Sequence, residues 1–176
     1  WVWLNADKGG SVLVDRQRPA ARAFGRRARL RDLRAESSGA DRRVDIALQG
    51  PHSPNILLEL DADEATKKKL RDLKRFHLMR ATLGGFDLIV SRTGYTGERW
   101  SFELFVHPDQ AVELWEKLME VGAAQGLQAC GLGARDSLRI EAGLPLYGQE
   151  LAGPLDLSPA DAGFRNFVKT YKPWFI

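Results

Sequence analysis

The sequence is poor in cysteine. Cys130 is the only one in 176 residues, so no internal disulfide and no multi-cysteine metal cluster can form within the chain. Histidine is scarce too. His52, His77 and His107 are widely spaced and make no HxxxH or HExxH pair, which argues against a metal site. No apolar run approaches the roughly 18–20 residues that a membrane-crossing helix needs. A GxSxG elbow, a GxxxxGK[ST] phosphate loop and a GxGxxG turn are all missing; Gly131-Leu132-Gly133 is followed three positions on by Asp136 rather than glycine. Serine-hydrolase, P-loop and dinucleotide chemistries therefore find no support. Charge of one sign is also lacking. The 26 Lys+Arg and 23 Asp+Glu leave +3, too modest for a dedicated nucleic-acid binder.

What is present is ordinary globular composition. Hydrophobic residues at 44% and charged residues at 28% exclude disorder, collagen and coiled coil. The length suits one large domain, or one domain plus part of another. With no signal peptide or transit segment at its start, and one thiol, the chain is expected to be soluble and cytoplasmic, with no membrane partner. Both ends are apolar: Trp1-Val2-Trp3-Leu4 and Pro173-Trp174-Phe175-Ile176. Natural termini are usually polar and loosely held, so the sequence is expected to be an internal piece of a longer protein.

Along the chain, residues 2–6 and 11–15 are β-prone runs around Asp7-Lys8-Gly9-Gly10, a hairpin signature. Eight arginines and one acid, Asp32, fall between Arg16 and Arg34. Aromatic interleaving is limited to Phe24, so this run reads as a solvated face rather than a nucleic-acid or membrane surface. Residues 36–43 read as a loop. A strand over 44–48 ends at Gln49-Gly50-Pro51, and Ser53-Pro54 opens a helix through Leu60. A second helix spans 63–73 with Asp63 as its cap and Lys67-Lys68-Lys69 on its wet side. Strands over 76–83 and 86–91 flank Gly84-Gly85, a two-glycine turn. A further strand over 102–106 puts Phe102, Leu104 and Val106 on one face.

Residues 109–121 space Ala111, Leu114, Trp115, Leu118 and Met119 helically, which predicts an amphipathic helix with Trp115 in the core. A last helix is predicted over 134–141. Hairpins and helices so interspersed define an α+β fold, with helices laid on largely antiparallel sheets.

Two stretches are dense in chemistry. The first is Ser91-Arg92-Thr93-Gly94-Tyr95-Thr96-Gly97-Glu98, followed closely by Phe102-Glu103-Leu104; the second runs from Gly131 to Gly148. Glycines around Tyr95 put an aromatic on a tight loop at a strand end. Glu103 alternates onto the face opposite Phe102 and Leu104, where a lone acid is often simply exposed. Arg135 and Arg139 share a helix face at i, i+4, with Asp136 and Glu141 as possible partners, and surface ion pairs would account for that spacing equally well. Cys130 has no activating neighbour and reads as a buried structural thiol. The functional alternative is a fit to a ligand. A carboxylate accepts two parallel hydrogen bonds from an N–H/NH2 edge, an arginine offers a planar fork, and an aromatic offers a stacking surface. Tyr95, Glu103 and Arg135 together would clamp a flat polar heterocycle with an acidic tail.

These stretches resemble the T-protein family of the glycine cleavage system, the tetrahydrofolate-dependent aminomethyltransferases. The matching residues are Ala47-Leu48-Gln49-Gly50-Pro51, the Ser91–Glu98 stretch, Gly131 to Arg139, Glu141-Ala142-Gly143, Leu146-Tyr147-Gly148, and Ser158 to Gly163. Leu4-Asn5-Ala6 is similar to a shorter family segment. The resemblance implies a folate pocket built by two α+β domains, with residues 1–75 in the first and 76–176 forming the second and returning to the first. A C-terminal barrel-like domain would follow beyond the chain. It implies that Glu103 binds the amino edge of the pterin, that Arg135 is a polar folate contact, that Tyr95 lines the pocket and that Asn5 is a further contact.

The reaction it implies moves a methylene from an aminomethyl group, carried on the lipoyl arm of a partner H-protein, to N5 of tetrahydrofolate with release of ammonia. The family's acidic residue would lie before Trp1, so the chain alone is expected to be inactive. A folate-dependent demethylase of the same fold and a non-catalytic folate-binding protein are the alternatives. Two features depart from the family: the bulky Arg99-Trp100-Ser101-Phe102 before Glu103, and the arginine run.

Overall fold

The computed structural model describes residues 32–172. Asn5, the hairpin expected over 2–15 and nearly all of the arginine run lie outside the described residues. A short 3-10 turn, Glu36–Asp41, stands where a loop was expected. It leads into β1 (Val44–Gln49), and helices α1 (Ser53–Glu59) and α2 (Glu64–Arg71) follow. Then come β2 (Leu78–Leu83), β3 (Phe86–Ser91) and β4 (Ser101–Val106). Helix α3 (Ala111–Gly122) packs back onto α1, and α4 (Leu132–Glu141) opens the last segment.

The strands form one antiparallel sheet in the order β1-β4-β3-β2. Gly84 and Gly85 take φ of +58° and +88°, the left-handed pair that a two-residue hairpin turn requires, and Leu83 pairs with Phe86 across it. β1 closes the other side, with Ile46 opposite Leu104 and Leu48 opposite Phe102. The sheet thus joins strands from either side of residue 75.

Period-two alternation sorts the sheet into two faces. Leu48, Phe102, Leu104, Val106, Val90, Leu88, Ala81 and Leu83 point to one face and are buried there. Ile56, Leu57 and Leu60 of α1 and its end, Leu70 of α2, and Leu114 and Leu118 of α3 complete this core. Each fully buried aliphatic or aromatic side chain contributes about 1.5–3 kcal/mol, so this layer carries the fold. Asp63 caps α2 as its sequence predicts, accepting from the Thr66 backbone N–H at 2.8 Å. Arg43, almost fully buried, ties the chain before β1 to the sheet through Asp87 at 2.6 Å.

Two sequence expectations need correction. Trp115 is 42% exposed rather than core, because the buried stripe of α3 is the narrow Leu114–Leu118 line and position 115 lies a full 100° around the helix from 114. Cys130 is exposed, in the stretch between α3 and α4, where no described residue covers it. Among the described residues no helix is long and apolar enough to cross a membrane.

Candidate functional site on the open sheet face

The sheet's second face displays Asp45 and Ala47 of β1, Glu103 and Phe105 of β4, and Ile89 and Ser91 of β3. Glu103 sits at its centre, half-buried, opposite Ala47 on one side and Ser91 on the other. A hydroxyl relay fixes its carboxylate: Thr93 Oγ1 donates to Glu103 Oε2, which leaves Ser91 Oγ to donate to Thr93 at 2.8 Å. Oε1 accepts no hydrogen bond from a described residue.

The loop carrying Tyr95 is wedged against the end of this face. Thr96 Oγ1 donates to Gln49 Oε1 at 2.5 Å, and the Gly50 N–H donates to Trp100 O at 3.0 Å. Gly97, at φ +79°, lies so close to α4 that a Cβ there would meet Ala142 Cβ at 2.5 Å. The Tyr95 hydroxyl donates to the Pro145 carbonyl oxygen. Burial raises its pKa above the ordinary phenol value; the cations Arg139 and Arg135 oppose this and Glu150 adds to it.

Arg135 and Arg139 divide the labour that their spacing left undecided. Arg139 is 2% exposed and is the hub of the last segment. Its Nε donates to Asp136 at 2.7 Å, one terminal nitrogen to Glu150 at 2.5 Å, and the other to Gln149 at 2.7 Å. Glu150 also accepts the Leu146 N–H. Glu150, not Glu141, is the second acid. Hydrogen bonding to Glu150 and Asp136 raises the Arg139 pKa, and the same contact lowers that of Glu150. Arg135, one turn earlier in α4, is exposed, and its guanidinium makes no hydrogen bond or ion pair with a described residue.

Asp45 links these groups, and sequence reading missed it. Its own surface is open to solvent, yet protein surrounds the carboxyl widely enough that desolvation, helped by the Glu103 charge and opposed by Arg135, pushes its pKa from 3.8 to about 7. The Asp45 carboxyl therefore lies within electrostatic reach of both Glu103 and Arg135. Strand alternation aligns Asp45 with Glu103 once β1 is paired to β4, but that pairing spans more than fifty residues and carries no local signal. Among the described residues no group of three or more His, Cys, Asp or Glu could hold a metal ion.

The fold defines a class: an antiparallel α+β layer with helices packed on its core face and Glu103 half-buried on the other. The chain belongs to the GCVT N-terminal domain family, that of the glycine cleavage T-protein, whose family model matches residues 22–172. It is 50% identical over 129 residues to an aminomethyltransferase of Alkaliphilus metalliredigens, covering 73% of this chain and 33% of that protein. It is 48% identical over 130 residues to an aminomethyltransferase of Bacillus cereus, again covering 73% and 33%. The chain thus spans about a third of the length of these curated relatives.

Proposed function

We propose that the chain is part of a tetrahydrofolate-dependent aminomethyltransferase and that the open sheet face around Glu103 receives the pterin. One observation carries this reading: an acid at the centre of the face, held by the Thr93 hydroxyl through one oxygen and with the other uncommitted, flanked by Ala47, Ile89 and Phe105. A flat ring fits against such a floor, and its N–H/NH2 edge needs an acceptor that burial alone would not supply. Arg135, charged and uncommitted, is suited to a carboxylate or ring carbonyl of the same ligand. Tyr95 stands between this face and α4 as a wall. Asn5 is carried as a further contact on the resemblance alone.

Tetrahydrofolate, when bound, supplies the N5 nucleophile that accepts the one-carbon unit. The protein's part is to hold the ring, exclude water and keep fixed charge where positive charge develops on the migrating carbon. The rest of the inferred assembly comprises two α+β domains, a C-terminal barrel-like domain and a lipoylated H-protein as donor.

The test uses the complete protein that contains this chain, with lipoylated H-protein and tetrahydrofolate. Ammonia release supports the reading. Methylated folate formed from another donor would make it a demethylase, and folate binding without turnover would make it a binding protein. Glu103→Ala should cost on the order of 2–4 kcal/mol of folate affinity by calorimetric titration. Unchanged affinity would discard the role given to Glu103. Arg135→Lys should weaken binding less, and equal binding would make Arg135 structural.

A further inference from the structure

A cluster of arginines lies away from the Glu103 face. Alternation that turns Ser91 to the open face turns Arg92 to the helix-bearing one, where a terminal guanidinium nitrogen donates to Leu73 O at 2.7 Å. Its guanidinium lies over the Trp100 ring, 4.0 Å from the centroid. Beside it, joined by Phe76 N–H to Arg92 O at 3.0 Å and Arg92 N–H to His77 O at 2.9 Å, the chain carries a second stack: Arg75 over Phe76 at 4.8 Å. Arg99 completes a triad. Burial first, and then the charges of Arg99 and Arg75, lower the Arg92 pKa from its ordinary value.

Like charges do not gather without cause. No described carboxylate pairs with Arg75, Arg92 or Arg99, and the buried Arg92 Nε has no acceptor among the described residues. The nearest acid in sequence, Glu98, is already bonded to the Trp100 N–H at 3.0 Å. Phe76 adds a second oddity. It holds φ at +65° and exposes 65% of its surface, a left-handed conformation that an aromatic residue adopts only against a cost. That backbone is what lifts the ring out under Arg75.

We propose that this double stack is a docking surface for an acidic segment of a protein partner. Three points select that occupant. Stacked guanidiniums keep their N–H edges for in-plane acceptors, the arrangement that matches carboxylate side chains. An exposed aromatic, Phe76, and a half-buried one, Trp100, interleaved with arginine have the composition of protein–protein hot spots. Nucleic-acid strands bind by stacking bases on ring faces, and here both rings are already covered by arginine. The surface is separate from the folate reading and stands or falls without it.

The experiment uses the full chain and three probes: a fluorescent oligoglutamate peptide, an oligouridylate, and vesicles of phosphatidylserine. The peptide is expected to bind at low salt, to weaken as salt rises, and to bind more tightly than the other two. Arg75→Glu with Arg99→Glu should weaken it at least about tenfold. Lys117→Glu, on α3 and paired with Glu120 at 2.9 Å, should leave it unchanged. A far-ultraviolet spectrum and melting curve matching the parent show that the double variant is folded; Phe76→Ala, which leaves every charge in place, supplies a second, milder loss. No binding of the peptide, equal binding by the double variant, or tighter binding of the oligouridylate or the vesicles would overturn the proposal.

Discussion

The chain between β1 and α3 and the chain after it are held together by different physics. Every buried hydrophobic residue of the core lies between Leu48 and Leu118. From residue 123 to 172 one side chain alone is buried among the described residues, and it is an arginine. Leu132, Ile140, Leu155, Phe167 and Tyr171 in that segment are exposed. The first region excludes water from apolar surface, which is non-directional and tolerant of small shifts. The second depends on a directional polar hub, which is satisfied in one geometry and costly when broken. The candidate site lies where they meet: Glu103 and Asp45 on the first, Arg135 on the second, the Tyr95 loop pinned to both.

The largest effect expected is on the first region. Leu104→Ala, at a position with 0% exposure in the middle of β4, should cost about 2–5 kcal/mol by urea unfolding. It should lower protection of both regions together, because no hydrophobic side chain of the second is buried among the described residues. If the second region kept its hydrogen-exchange protection while the sheet lost it, the dependence claimed here would be reversed.

Arg139→Met should divide the regions instead. It removes the partner of Asp136, Gln149 and Glu150, so amides of α4 and residues 144–151 should exchange at least about tenfold faster, with sheet amides unchanged. A uniform loss would show that the hub supports the sheet as well. Gly97→Ala strikes the seam. Its left-handed φ and the 2.5 Å approach to Ala142 predict a cost of about 1–3 kcal/mol and a loosened Tyr95 hydroxyl, read from the Tyr95 ring signals by NMR.

How much of this was legible beforehand follows the same divide. The β2–β3 hairpin could be read because its determinants are local: two glycines between alternating runs. The inward set Phe102, Leu104 and Val106 could be read for the same reason. The β1–β4 pairing could not, and with it went Asp45, whose meaning depends on lying beside β4. In the second region, periodicity put Arg135 and Arg139 on one face but could not say which would be covered, because the cover comes from residues 144–151, whose path no pattern sets. Trp115 and Cys130 failed similarly. Apolar character says that a side chain is suited to burial, not that another element arrives to bury it.

Asp45 gives the smallest and most pointed test. A carboxyl whose folded pKa is about 7 against 3.8 unfolded holds a proton in the native state that the unfolded chain has released between pH 4 and 7. Raising pH through that window therefore destabilises the native state, and above it the penalty is constant. Asp45→Asn removes the titration. Its stability should match the parent near pH 3 and exceed it near pH 8, by about 1 kcal/mol once solvent screening of an exposed group is allowed for. Parallel pH profiles would dismiss the shift. The neighbours sharpen the test by sign: Glu103→Gln should lower the Asp45 pKa and Arg135→Gln should raise it, both followed by carboxyl carbon NMR. Because Glu103 belongs to the sheet region and Arg135 to the polar one, opposite responses at one carboxyl would require both regions to face the same site in solution. A response to Glu103→Gln alone would leave α4 too distant to share it.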